Sequence, residues 1–223
     1  KRIRPLLTLI AADMFSSDVN KAKSAAIAVE ILHNFTLLHD DIMDQSPLRR
    51  GKETVYKKFN SNKAILSGDT MFALAFKHLL NYENEIVKDL VEILTQSSIE
   101  VCEGQAFDME FETRNDVKIE EYIKMIRLKT GVLLSCALRL GATTAHCTKE
   151  NLSLLDEFAQ NIGIAFQIQD DILDCWSDVE VFGKITGKDI IDNKKTFLYL
   201  KALEIGSQRQ QNILQELYSS KNF

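Results

Sequence analysis

An all-α helical bundle is the fold this sequence predicts, on three observations. Apolar residues recur at helical spacing over long stretches. Ile86, Leu90, Ile93, Leu94 and Val101 form one stripe, and Leu152, Leu155, Ala159, Ile162 and Phe166 form another. Strict alternation of apolar and polar residues, the mark of half-buried strands, is absent. Only two prolines occur, Pro5 and Pro47, so no proline interrupts the chain beyond Pro47.

The spacing predicts helices near 3–15, 20–44, 61–80, 84–112, 117–143, 149–177, 186–205 and 208–220. No low-complexity linker divides the 223 residues, which predicts a single domain over 1–223. At 45% hydrophobic and 26% charged the composition is that of a globular protein. A net charge of −5 argues against a nucleic-acid partner, which calls for a basic face. No run of about 20 apolar residues marks a membrane span. Cys102, Cys136, Cys147 and Cys175 are scattered without a C-x-x-C pair, which favours a reducing, cytoplasmic setting. The chain opens on Lys1-Arg2-Ile3-Arg4-Pro5, which reads as the interior of a longer protein, whose missing start could carry a targeting signal.

Around the start of the first expected helix, Lys1 and Arg4 stand three apart, able to point at one anion or simply to decorate a helix start. The second is rich in small residues (Ala25, Ala26, Ala28, Val29), which permit close helix packing. It ends in Leu37-Leu38-His39-Asp40-Asp41-Ile42-Met43-Asp44. Asp40 and Asp44 lie one turn apart on the same face, with Asp41 beside them. Carboxylates this close repel one another, and a hard cation relieves the repulsion. Mg²⁺ takes oxygen ligands and shares them with substrate phosphates, so the cluster suits a phosphate-bearing substrate carried on Mg²⁺. The pattern returns at Asp170-Asp171-Ile172-Leu173-Asp174, again ending an apolar helical run, and a repeat is hard to explain as surface decoration. His33 precedes Asp40 by two turns, as a core histidine or as a ligand on that face.

Cations follow. Arg49-Arg50-Gly51 stands in a turn after the first cluster, where guanidinium forks match phosphate oxygens, or the carboxylates themselves. Gly104 and Asp108 punctuate the fourth expected helix, and a mid-helix glycine points to close packing or a kink. Lys129 and Thr130 lie within an apolar helix. A buried-facing lysine there needs an anionic partner, unless it reaches solvent. Gln167 precedes Asp170 by three and shares its face. The loop Phe182-Gly183-Lys184-Ile185-Thr186-Gly187-Lys188-Asp189 has glycines on both sides of Lys184, as a mobile lid delivering a cation or as an ordinary connector.

Taken in order, K-R-I-R-P, L-L-H-D-D-I-M-D, R-R-G, K-T-G, F-Q-I-Q-D-D-I-L-D and F-G-K-I-T-G-K-D resemble the trans-type isoprenyl diphosphate synthases of the polyprenyl synthetase family, from Lys1 to about Thr196. The resemblance implies an isoprenoid-synthase bundle with a central cavity and facing aspartate motifs. It implies a prenyltransferase, similar to farnesyl or geranylgeranyl diphosphate synthases, that joins isopentenyl diphosphate head to tail to an allylic diphosphate (dimethylallyl, geranyl or farnesyl). It implies three Mg²⁺ ions: two on Asp40, Asp41 and Asp44, a third on Asp170, Asp171 and Asp174. By the same resemblance Arg49, Lys129 and Lys184 bind the allylic diphosphate, with Thr130 and Gln167 alongside, and Lys1, Arg4, His33 and Arg50 bind isopentenyl diphosphate. A homodimer is implied too. Phe35 and Thr36, before the first motif, stand where the family's product tails grow, and a single aromatic there resembles synthases of C15 or C20 products. The chain departs from the family at Phe197-Leu198-Tyr199, where Leu-Pro is common, and lacks N-terminal helices and part of the C-terminal portion. Terpene cyclases share the fold, but their second metal motif mixes Asn, Ser or Thr with Glu, unlike D-D-I-L-D. Non-catalytic partner subunits typically lose one aspartate motif, and a purely structural bundle would not need either.

Overall fold

In a computed structural model, residues 2–16, 18–176 and 187–219 are described. Helix α1 (Ile3–Phe15) has Pro5 in its first turn, where no intrahelical N–H bond is lost. A 3₁₀ turn (Val19–Ala22), in which the Asp18 carboxylate accepts the Asn20 N–H at 3.1 Å, leads into α2 (Lys23–Met43). α2 buries Ala25, Ala26, Ala28, Val29 and Leu32, and its small side chains let α1 and α4 pack closely on it.

Between α2 and α4 the chain makes a hairpin that the sequence reading did not anticipate. Strands β1 (Leu48–Arg49) and β2 (Lys52–Glu53) pair antiparallel, Arg49 opposite Lys52. Arg50 (φ 54°) and Gly51 (φ 74°) both sit in the left-handed region, the signature of a type I′ turn. Strands of two residues carry no alternation to read. Thr54 closes the base by donating to Ser46 O at 2.8 Å. A single turn, α3 (Val55–Lys58), precedes α4 (Ser61–Leu79), whose N-cap Asn60 accepts the Lys63 N–H at 2.8 Å.

Next come α5 (Asn84–Thr113), α6 (Ile119–Ile126), α7 (Val132–Thr144) and α8 (Lys149–Trp176). The expected helix 117–143 is split by a π turn at Arg127–Gly131. The expected helix 186–205 is also broken, into α9 (Lys188–Ile191) and α10 (Phe197–Ile205), before α11 (Gln208–Ser219). Asn193 takes a left-handed φ of 56°, which stops α9, and Thr196 starts α10 by accepting the Tyr199 N–H on its hydroxyl.

Contacts divide the chain into two compact units. The first comprises Lys1–Ile99 and Leu133–Phe158, the second Glu100–Val132 and Ala159–Phe223. The first is built on the α2–α4 pair, with Val29, Leu32 and Leu79 fully enclosed. The second encloses Phe111, Val117, Tyr122, Met125, Ile126, Tyr199 and Leu200.

Glycine explains how the second unit accommodates its π turn. A Cβ on Gly104 of α5 would lie 2.5 Å from the Lys129 backbone nitrogen, and one on Gly163 of α8 would lie 2.4 Å from Gly131 Cα. Two helices therefore press bare backbone against the turn that carries Lys129 and Thr130. π turns of this kind concentrate at functional sites. Among the described residues, no helix is long and apolar enough to cross a membrane.

Candidate active site

In the first unit the acidic cluster occupies the last turn of α2. Asp40 is partly buried, Asp41 is buried and Asp44, the C-cap, is exposed. Helix C-termini carry partial negative charge from unpaired carbonyls, so carboxylates placed there add to an already negative end. Arg49 Nε donates to Asp41 Oδ1 at 2.7 Å. Burial pushes the Asp41 carboxyl up, the bond from Arg49 pulls it back, and Asp44 pushes it up again.

Two of the residues assigned to isopentenyl diphosphate meet directly. Arg4 Nη1 donates to His33 Nε2 at 3.0 Å, which fixes Nε2 as the acceptor, because a guanidinium only donates. Burial, and then the charges of Arg4, Arg50 and Arg49, hold the His33 pKa at about 3. Arg4, Arg49 and Arg50 thus lie within electrostatic reach of one neutral imidazole. Arg4 Nε is buried and bonds to no described group. Lys1 lies outside the described residues.

Phe35 is held between two rings, 4.7 Å from His39 and 5.2 Å from Phe72 of α4, and Phe76 continues the row at 5.0 Å from Phe72. The Thr36 hydroxyl turns back to the His33 carbonyl at 2.9 Å. A separate cavity of about 550 Å³ in this unit, lined by Lys21, Lys23, His78, Tyr82 and His146 among others, includes none of the motif residues.

In the second unit the cluster lies near the C-terminal end of α8. Asp170 is partly buried, and Asp171 and Asp174 are buried. The Tyr122 hydroxyl donates to Asp171 Oδ2, Gln167 Nε2 donates to Oδ1 at 3.2 Å, and the Phe197 N–H reaches Oδ2 at 3.4 Å. Asp174 Oδ2 accepts the Asp189 N–H at 3.1 Å. Thr130 donates to Gln167 Oε1 at 3.3 Å, so the π turn and the acidic turn share one amide.

Lys129 finds the anion its position demands: Nζ lies 2.7 Å from Asp108 Oδ2. Lys194 joins the same oxygen at 3.1 Å and reaches Glu112 at 2.6 Å. Burial would push the Asp108 carboxyl up, but the two lysines overcome it and leave it lowered. Burial lowers Lys194 and its two carboxylates outweigh that, leaving it raised. Lys184 lies outside the described residues.

Sequence reasoning missed Tyr122, Lys194 and the role of Asp108. Asp108 was findable as the partner that a buried-facing Lys129 requires. Tyr122 lies seven residues before Lys129, but the π turn breaks the helical register that would have linked the two. Lys194 stood inside an expected helix, where nothing singled it out.

The resemblance implies Mg²⁺, and the donor set fits it. Each acidic turn offers carboxylate oxygens at a helix end whose own dipole favours a cation. Among the described residues no group of three or more His, Cys, Asp or Glu side chains is already gathered to hold a metal ion by itself. Mg²⁺ does not ask for one, since it takes one or two carboxylates and completes its shell with waters and substrate phosphates.

The family model for polyprenyl synthetase matches residues 1–223. A short chain isoprenyl diphosphate synthase of Methanocaldococcus jannaschii is 43% identical over 223 residues, covering 100% of this chain and 68% of that protein. A geranylgeranyl diphosphate synthase of Sulfolobus acidocaldarius is 42% identical over 226 residues, with the same coverage of 100% and 68%. A crystal structure of a geranylgeranyl pyrophosphate synthase superposes with a TM-score of 0.94 at 47% identity, over 98% of this chain and 66% of that one. The chain thus spans about two thirds of the length of these relatives. It belongs to the polyprenyl synthetase family, and its enzyme class is that of the trans-prenyltransferases, the isoprenyl diphosphate synthases.

Proposed function

We propose that the protein condenses isopentenyl diphosphate with an allylic diphosphate (dimethylallyl, geranyl or farnesyl) to give short all-trans prenyl diphosphates of C15 or C20 length. The observation that carries this reading is the pair of acidic helix turns: the first has Arg49 on Asp41, and the second is linked through Gln167 to Thr130, next in sequence to the Lys129 that pairs with Asp108. In this reading Asp40, Asp41 and Asp44 hold two Mg²⁺ ions and Asp170, Asp171 and Asp174 a third. When bound, the metal neutralises the diphosphate as the allylic C–O bond breaks.

Arg49, Lys129 and Lys184 bind the leaving diphosphate, which departs with the electron pair of that bond. Thr130 and Gln167 orient it. Arg4, Arg50, His33 and Lys1 hold isopentenyl diphosphate, whose double bond attacks the allylic cation. The proton then lost from the new C–C unit goes to the departed diphosphate, so no side chain need serve as base. Arg4 Nε, buried and bonded to none of the described groups, is a donor suited to a phosphate oxygen. Apolar side chains exclude the water that would quench the cation. A cytoplasmic setting is part of the proposal, on four cysteines scattered without a C-x-x-C pair, and so is a homodimer, by family analogy.

The test is to supply Mg²⁺, isopentenyl diphosphate and each allylic primer in turn, then size the dephosphorylated products. A C15 or C20 alcohol that disappears with EDTA is expected, and so is loss of turnover in Asp170→Ala. No condensation with any primer, or full activity in Asp170→Ala, overturns the reading.

A further inference from the structure

We propose that Tyr122 is a positioning residue for the second aspartate motif, acting through Asp171 and Gln167 on the acidic turn and on Thr130. The proposal rests on the reading above, in which that motif binds metal.

Tyr122 is 2% exposed and sits in an apolar cluster with Phe111, Val117, Met125, Ile126, Tyr199 and Leu200. A phenylalanine would fill that space equally well. The hydroxyl therefore needs its own reason, because a buried O–H is costly unless bonded. Its acceptor is the Asp171 carboxylate.

Asp171 is itself 3% exposed, and its donors come from three elements: Tyr122 on α6, Gln167 one turn earlier on α8, and the first N–H of α10. A helix N-terminus favours an anion, so the carboxylate also meets the positive end of α10. Three donors on one carboxylate fix the rotation of the α8 turn about its own axis. Asp170 and Asp174, on either side of that fixed point, take their directions from it. Gln167 extends the effect. Its Nε2 is committed to Asp171 and its Oε1 to Thr130, so the amide can satisfy both only in one orientation. Tyr122, Asp171, Gln167 and Thr130 form one chain of hydrogen bonds, with the metal-binding turn at one point and the K-T-G turn at its end. Groups that orient ligating carboxylates in this way matter nearly as much as the ligands.

The experiment uses the whole protein and two readouts. Mn²⁺ binding in the presence of inorganic diphosphate is titrated by the electron paramagnetic resonance of free Mn²⁺. Steady-state kinetics give KM for the allylic primer and for isopentenyl diphosphate separately. Tyr122→Phe is expected to weaken Mn²⁺ binding about tenfold and to raise the allylic KM, leaving the isopentenyl diphosphate KM unchanged. In the cycle of Tyr122→Phe, Asp171→Asn and the double variant, the double variant is expected to bind Mn²⁺ no more weakly than Asp171→Asn alone. Tyr122→Met removes the same hydroxyl from a more adaptable side chain and serves if the phenylalanine variant does not fold. Parent-like Mn²⁺ affinity in the hydroxyl-free variant, or losses that add in the cycle, overturn the proposal, even where thermal stability falls. Failure of the parent protein to bind Mn²⁺ or to condense substrates would instead sink the proposed function.

Discussion

Arg49 and Asp41 are joined by a 2.7 Å charge-assisted bond, and the counterpart of Asp41 in the second motif, Asp171, is likewise engaged by a side chain, Tyr122. The two D-D-x-x-D copies are therefore alike in more than sequence. In each, the middle carboxylate is buried and takes a donor from a neighbouring element, and the first carboxylate is less buried.

The Arg49 bond has a measurable consequence for stability. Asp41 is buried, so Arg49→Gln leaves a carboxylate with little water to replace the guanidinium. The Arg49 side chain is 37% exposed, which moderates the loss. The expected cost is about 1–3 kcal/mol in urea unfolding. Adding Asp41→Asn should restore part of it by removing the stranded charge. Equal stability of parent and Arg49→Gln would show that the pair holds nothing together.

The fold was legible in the sequence wherever the apolar helical period ran unbroken. The stripe from Ile86 to Val101 lies on α5, which runs one residue past its expected end, and α1 has its expected bounds. Breaks inside helices were less legible. The π turn arises because Gly104 and Gly163 let two helices approach residues 127–131, a tertiary cause that no local window contains. The break at residues 192–196 had a local signal, Asn193 followed by Thr196, a left-handed residue and then an N-cap, masked by the apolar residues on both sides. At the site, the residue types with strong chemistry stood out: the paired aspartates, Arg49 and Lys129. Their partners did not, because Tyr122 and Asp108 acquire meaning only when α5, α6 and α8 pack.

Gly163→Ala tests the tertiary cause. In an exposed helix the change would stabilise by about 1 kcal/mol. Here the new Cβ would stand 2.4 Å from Gly131 Cα, a backbone atom that cannot step aside without moving the turn. A net loss of about 1–3 kcal/mol is expected, together with a higher KM for the allylic primer as Lys129 and Thr130 shift. A stabilised variant with parent kinetics would mean that the turn tolerates displacement.

His33 gives a pH dependence whose sign is fixed by its surroundings. Its pKa falls from 6.5 to about 3 on folding, through burial first and then through Arg4, Arg50 and Arg49. The unfolded chain then binds a proton that the folded chain refuses. The contribution is complete above pH 6.5 and is lost progressively as pH falls from 6.5 toward about 3. His33→Gln should flatten that part of the curve, measured as urea stability near neutrality and again near pH 5. A bound diphosphate works in the opposite direction, since an anion beside the ring favours the imidazolium. Saturating isopentenyl diphosphate is therefore expected to raise the His33 pKa seen by NMR. An imidazole that titrates normally in the free protein would contradict the burial of this ring among three arginines.

Product length is where the row Phe35–Phe72–Phe76 makes its own prediction. Phe35 lies five residues, about 7.5 Å along the helix, before Asp40, and its ring rests against Phe72 from α4. If a growing tail passes along α2 from Asp40, Phe35 is the first aromatic it meets and Phe72 the next. Phe35→Ala should lengthen the products. Phe35→Ala with Phe72→Ala should lengthen them further, because the single variant leaves a ring from the facing helix beside the vacated space. The ring contacts of both side chains are with other rings and not with the carboxylates, so turnover with the shortest primer should persist. Chromatography of the dephosphorylated products distinguishes the cases. Longer alcohols in the single variant and longer still in the double place both rings on the floor. A change only in the double variant assigns the stop to Phe72, and an unchanged distribution in both removes this row of aromatics from the control of length.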